Sequence, residues 1–358
     1  MWLNELCISY HNREKIMHIR LITRVVSLGL ICSVVLVNYA WAYGPAANAT
    51  TGTGRVFFPN PVASLQNQSL TDQKDADYAA LQPAYRIVTL TNLDGSGYLR
   101  GDWASIRSST GPLAFSSDNT FLYNRHDDQF EQVVAYYWVT EAQKYIQSLG
   151  FGVARRPINM EPQDVRVDQL GIDNSYSWDK KDLLRFGKGG VDDAEDAEVI
   201  LHEYGHAMMD SQMTPFGFGG SVEAGSIGEG FGDYWAVTVS NVIAPTPDPA
   251  CVADWDSVSY TSSVPHCLRR VDTDLHYPED LNGRVHHDGQ IWSRALWDIR
   301  GHLGHVVADT IILEAQFDFA PDTSMPAAAQ ATVAAAERLY GKAAAKVVSA
   351  AFEARGIL

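Results

Sequence analysis

The sequence predicts an α+β fold, strand-rich first and helix-rich last. Three observations carry this expectation. Residues 84–107, "AYRIVTLTNLDGSGYLRG" and the six that follow, are β-branched and aromatic around an Asp94-Gly95 turn. Residues 128–149 place Phe130, Val134, Tyr137, Trp138, Ala142, Tyr145 and Leu149 at a 3.6-residue period, and Gly150 ends the run. From residue 288 onward the pattern is helical and alanine-rich. With 358 residues, 46% of them hydrophobic, the chain can build one large domain or two modest ones around a sizeable core.

The elements follow in order. Residues 1–42 are expected to be a secretory signal peptide: a basic region after Met17 (Arg20, Arg24), an apolar run, then Ala40-Trp41-Ala42 as a small-x-small cleavage signal, with Met17 a candidate true start. The rival is an uncleaved membrane anchor, but the apolar run is short and Asn38 interrupts it. A β-rich segment is expected over 43–125, opening on a short strand around Val56-Phe57-Phe58. A catalytic lobe is expected over 126–245. In it the 128–149 helix is followed by strand and turn over 160–190. A helix then begins near Asp192, whose first turns Asp192, Asp193, Glu195 and Asp196 would complement the helix dipole. A glycine-rich loop over 211–226 precedes a second helix from about Glu229 to Val242. A C-terminal lobe over 246–358 starts irregularly and ends helically.

Without residues 1–42 the chain carries 23 basic and 41 acidic residues, a net charge of −18. Such a surface repels nucleic acid and anionic lipid, so neither is expected as a partner. The acidic loops make calcium a candidate ion, although no EF-hand ligand spacing occurs. Outside the first 42 residues only Cys251 and Cys267 remain, 16 apart, and in an oxidising compartment they are expected to form a disulfide.

The chemistry centres on "AEVILHEYGHAMMD", residues 197–210, a helix that sets two histidines and a glutamate among Val199, Ile200, Leu201, Met208 and Met209. Burying such polarity is costly without a partner. His202 and His206 are i, i+4, about 40° apart on one helix face, so both imidazoles can reach one metal ion. Glu203 on the neighbouring part of the face is placed to touch a metal-bound water, the HExxH arrangement with zinc as the natural metal. In "GEGFGDYWA", Glu229 lies 23 residues after His206 and can supply a third ligand, leaving a fourth position open. Asp233, i+4 from Glu229, can accept the free imidazole N–H of a ligand histidine. "RVHHDGQIWSRALWDI" offers His286 or His287 as a donor to an oxyanion.

These motifs, "GGVDDAEDAEVILHEYGHAMMD", "GEGFGDYWA" and "VHHDGQIWSRALWDI", with "AYYWVTEAQKYIQSLGF" more weakly, resemble those of gluzincin zinc metallopeptidases. The similarity is closest to the fungalysin family and its bacterial relatives, and more distant to thermolysin, and it spans most of residues 128–300. It implies a thermolysin-like two-lobed endopeptidase with the zinc cleft between a β-rich and a helical lobe. It implies zinc ligands His202, His206 and Glu229, base Glu203, and Asp233 behind a ligand histidine. It selects His286 over His287 as the oxyanion donor, and it sets Asn174 and Ser175 of "DNSYSW" on the edge segment that binds substrate backbone. Two departures stand out. Relatives usually carry a long inhibitory propeptide, whereas here about 85 residues separate the expected cleavage from the 128–149 helix and read as mature fold, so propeptide autoinhibition is not expected. The loop "SQMTPFGFGGSVEAGSIG" lacks the tyrosine that assists the oxyanion in thermolysin, so that contact is either absent or made from elsewhere, such as by Tyr234 or Tyr204.

The expected product is a secreted or periplasmic zinc endopeptidase acting on peptides or proteins. Two rivals are a zinc-bearing binding or adhesion protein without turnover and a zinc hydrolase of non-peptide amides or esters.

Overall fold

A computed structural model describes residues 50–107, 111–169, 171–212 and 220–358. The signal-peptide reading falls on residues outside these. Strand β1 (Thr50–Phe57) leads into a short helix, α1 (Pro61–Leu65), capped by the Asn60 side chain. Then come β2 (Tyr85–Leu93), β3 (Ala104–Ile106), β4 (Thr120–Phe121) and the long helix α2 (Gln129–Ser148). Strands β5 (Gln163–Arg166), β6 (Tyr176–Trp178) and β7 (Leu183–Arg185) precede helices α3 (Ala197–Ser211) and α4 (Val222–Ile243). A short ribbon, β8 (Cys251–Val252) with β9 (Arg269–Arg270), is followed by α5 (Val285–Leu303), α6 (His305–Gln316), α7 (Met325–Tyr340) and α8 (Lys342–Glu353). The fold is thus mixed α+β, strands first and helices last. No helix among the described residues is long and apolar enough to cross a membrane.

Two small sheets flank α2. The first has the order β2-β1-β4 and the second β3-β5-β7-β6, with β6 at its edge. The strand before the Asp94-Gly95 turn does not close a regular hairpin with the chain after it. It pairs antiparallel with β1, from Phe57 opposite Tyr85 to Thr50 opposite Leu93. Beyond the turn only isolated bridges form, such as Leu93 with Gly101. Helix α2 is buried on nearly every side, with Phe130, Val134, Tyr136 and Trp138 fully enclosed. Phe130 meets Phe57 of β1 edge-to-face at 4.9 Å between ring centres.

Helix α3 starts five residues later than the acidic run suggests. Asp192 to Glu195 belong to an approach segment containing a 3₁₀ turn, Asp193–Glu195, and all four carboxylates from Asp192 to Asp196 are buried rather than lying along the helix. Glu195 is gripped by Arg125, Nε to Oε1 2.8 Å and Nη2 to Oε2 2.8 Å, and Arg125 also reaches Asp72 at 2.8 Å. A buried arginine with two parallel hydrogen bonds to one carboxylate fixes orientation as well as charge. Asp196 caps the helix, accepting from Glu198 N at 2.9 Å, and its other oxygen accepts from Trp255 N and Asp256 N. The start of α3 is therefore held from both sides. Helix α4 begins seven residues before Glu229, at an N-cap formed by Ser221.

Candidate metal centre

Helices α3, α4 and α5 pack closely because glycines face one another where they cross. A Cβ on Gly232 would lie 2.8 Å from the His202 ring, and one on Gly205 would lie 3.3 Å from the Gly232 Cα. Real Cβ contacts almost never come as near as 2.8 Å, so Gly232 must be glycine, while a side chain at Gly205 would press the two helices apart by a few tenths of an ångström. This close approach carries Glu229 of α4 to the two histidines of α3.

His202 Nε2 and His206 Nε2 stand 3.3 Å apart, one helical turn separating their residues. Glu229 Oε2 lies 3.2 Å from His202 Nε2, and Oε1 lies 3.9 Å from His206 Nε2. Tetrahedral zinc with bonds of about 2.0–2.1 Å holds its ligand atoms about 3.3–3.4 Å apart. Two of the three separations match that spacing, and Glu229 Oε2 is a buried oxygen without a hydrogen bond. The two imidazoles and one carboxylate therefore fit a zinc ion.

The surroundings prepare these groups. Asp233 Oδ1 faces His202 Nδ1 at 2.9 Å, which directs Nε2 of the same ring towards the centre. Asp233 is in turn held by Arg269, with Nε and Nη2 each 2.7 Å from a carboxylate oxygen. Burial alone would lower the His202 pKa, but Asp233 and Glu229 overcome it and push it up to about 10. Burial pulls His206 down to about 4, keeping it neutral. Burial would raise Glu229, yet the neighbouring imidazoles hold it at about 2. Asp233 falls well below the carboxylate range, because the Arg269 charge outweighs burial. The centre thus combines a negative carboxylate pair with imidazoles of opposite protonation tendency, an environment that attracts a cation.

Glu203 lines the same cleft with its carboxyl largely enclosed. Burial pushes it up to about 7, opposed by the His202 charge. His286 sits on the first turn of α5, inside the helix rather than before it, and its Nε2 lies 3.2 Å from Glu229 Oε2 with the side chain still 57% exposed. His287 turns to Asp288, Nδ1 to Oδ1 3.1 Å, and is not among the residues lining the cleft. Asn174 and Ser175 lie in the cleft wall just before edge strand β6. The Ser175 hydroxyl donates to the Asp193 carboxylate. The two tyrosines considered as oxyanion partners are elsewhere: Tyr204 is fully buried and donates to Gln143 Oε1 at 2.8 Å, and Tyr234 donates to Asp309 in the helical core. Neither lines the cleft, because each points from its helix into the packed interior.

Cys251 and Cys267 are joined by a disulfide. It closes the loop that returns to β9, and so braces Arg269 two residues on. Arg269 is the site residue that sequence reasoning missed. It lies in an irregular segment with no periodicity, and only its position after Cys267 hinted that the segment is anchored.

A model of the fungalysin metallopeptidase (M36) family matches residues 108–305. Gelatinase of Enterococcus faecalis is 28% identical over 204 residues, covering 52% of this chain and 38% of gelatinase. The chain thus spans well under half the length of that relative. Among solved structures, the precursor of protealysin, a metalloproteinase from Serratia proteamaculans, superposes with a TM-score of 0.56 at 17% identity, covering 72% of this chain and 88% of that one. This chain shares that protein's fold.

Proposed function

The chain belongs to the fungalysin metallopeptidase family, and from that premise we propose that it is an exported zinc endopeptidase that cleaves peptide bonds with Glu203 as general base. The observation that carries the proposal is the convergence of His202, His206 and Glu229 at separations of 3.2 to 3.9 Å beside a buried glutamate. Those three would hold the ion. When bound, zinc supplies Lewis acidity, lowering the pKa of a water and polarising a carbonyl.

The chain's own groups do the rest. Glu203 takes a proton from the attacking water and returns it to the departing amine. Its enclosed setting and raised pKa suit a group that must both accept and release a proton near neutrality. His286 donates to the oxyanion as it forms; burial lowers its pKa, while its side chain still opens to the cleft. Asp233, fixed by Arg269, holds the His202 ring in one orientation. Asn174 and Ser175 lead into β6, an edge strand, and an extended peptide can pair along that edge. In this reading the strand-bearing first part and the helical last part form two lobes flanking the cleft, as in thermolysin. Export is supported by the signal-like start of the sequence and by a disulfide, which suits an oxidising compartment.

A digest of casein and a peptide library tests the proposal. Cleavage should stop with a chelator, return with zinc, and fall by about 10²–10⁴ in Glu203→Gln while that variant keeps its metal. Hydrolysis that survives the chelator, or full turnover in Glu203→Gln, would refute it. Esters or small amides cut where peptides are not would point to the non-peptide alternative.

A further inference from the structure

Beside the metal centre, three chain segments bring Asp173, Asp193 and Asp256 together so that one oxygen of each lies within 4.8 Å of the others. Asp173 precedes β6, Asp193 lies in the 3₁₀ turn before α3, and Asp256 opens the 3₁₀ turn after β8. Asp193 is 2% and Asp256 3% exposed. Each has one oxygen, Oδ1, enclosed and without any hydrogen-bond donor. The surrounding contacts position the group without neutralising it: the Tyr260 hydroxyl lies 2.7 Å from both Asp173 Oδ1 and O, Ser259 also bonds Asp173, and Ser175 and the Gly187 backbone bond Asp193. The nearby cation, Arg269, is committed to Asp233.

Buried like charges with orphaned oxygens need a counter-charge. Burial pushes all three carboxyls above their ordinary range, with repulsion from Asp173 adding to it at Asp193 and repulsion from Asp193 and Asp173 at Asp256. A proton shared between Asp173 and Asp193 would relieve part of the repulsion, but the enclosed Asp256 Oδ1 would still lack a donor. We infer that Asp173, Asp193 and Asp256 form a second, oxygen-only site for a divalent cation of the calcium type. Calcium–oxygen distances of about 2.3–2.6 Å allow ligand oxygens up to about 5 Å apart, and those of the cluster lie within 4.8 Å of one another; hard carboxylates without nitrogen or sulfur select calcium over zinc. Waters would complete the shell. An ion there ties the segment carrying Asn174 to the start of the helix carrying His202. It therefore holds the substrate-binding edge at a fixed distance from the metal centre.

The test needs no turnover, so its outcome is separate from that of the peptidase proposal. Metal-stripped protein is reloaded with one equivalent of zinc and titrated with terbium, whose emission Tyr260 and Trp255 can sensitise. The site predicts saturable emission that calcium displaces at one equivalent per chain. It also predicts a Tm about 5 °C higher in millimolar calcium. The Asp193→Asn/Asp256→Asn double variant should lose both responses, yet melt no lower than the unaltered protein in chelator, because repulsion is relieved. Should the double variant not fold, Asp256→Asn alone carries the same comparison. No terbium signal and no calcium shift in the unaltered protein, or both retained in the variants, would overturn the site.

Discussion

His202, Asp233 and Arg269 form a chain of contacts in which each member sets the next. Removing the charge of Asp233 weakens the acceptor that orients His202 Nδ1 and leaves Arg269 buried without a carboxylate. Asp233→Asn should weaken zinc binding by about 10–100-fold, read by competition against a chromophoric chelator, with the fold retained by circular dichroism. A second residue-scale prediction concerns Asp192, whose carboxyl burial pushes up to about 9, helped by Glu195 and opposed by Lys188. Its folded pKa lies above its unfolded one, so the folded chain keeps a proton that the unfolded chain has lost. That contribution is intact below about pH 4 and declines as pH rises towards 9. Asp192→Asn should therefore be stabilising at pH 8, by the order of 1 kcal/mol, and less so at pH 5, in thermal melts. An advantage that shrinks with rising pH would contradict this. The two residues also mark what a sequence can reveal. His202, His206 and Glu203 are legible because helical arithmetic fixes their mutual placement. Asp192, Asp193 and Glu195 read as helix-dipole complements because nothing local discloses that Arg125, 70 residues before Glu195, buries one of them.

At the scale of elements, the crossing of α3 and α4 decides whether the metal centre can form. Gly232→Ala should force the His202 ring aside, lowering zinc affinity and costing ~1–3 kcal/mol of stability. Zinc titration and thermal melting of the variant check both. Unchanged zinc affinity would mean the helices move apart freely. Other glycines hid the start of α4: "GSVEAGSIGEG" reads as loop by propensity, but close packing overrides the glycine cost and the Ser221 cap begins the helix. The segment from Cys251 to Arg269 is the other decisive element. Opening its disulfide should cost ~3 kcal/mol by loop entropy and loosen Arg269. Melting with and without reductant measures the first effect. A Cys251→Ser/Cys267→Ser variant that binds zinc as tightly as the unaltered protein would show that Arg269 is braced by other contacts. The pairing itself was readable from cysteine count, whereas the role of the arginine beyond it was not.

Over the whole molecule, the order of strands before helices followed from periodicity, since helical and extended segments announce themselves locally. Strand partners did not. Nothing in residues 50–57 foretells that β1 lies between β2 and β4, because pairing is fixed by packing against α2 rather than by adjacency in sequence. The candidate metal centre falls between these cases: His202, His206 and Glu229 lie on two helices whose contact is tertiary, yet the 23-residue spacing from His206 to Glu229 already pointed to their meeting. The most direct test is therefore the metal content of the purified protein, measured by inductively coupled plasma mass spectrometry beside Glu229→Ala and His202→Ala. One zinc per chain, falling to less than about a tenth in either variant, is the predicted result. Protein without stoichiometric metal, or variants that keep it in full, would contradict the account.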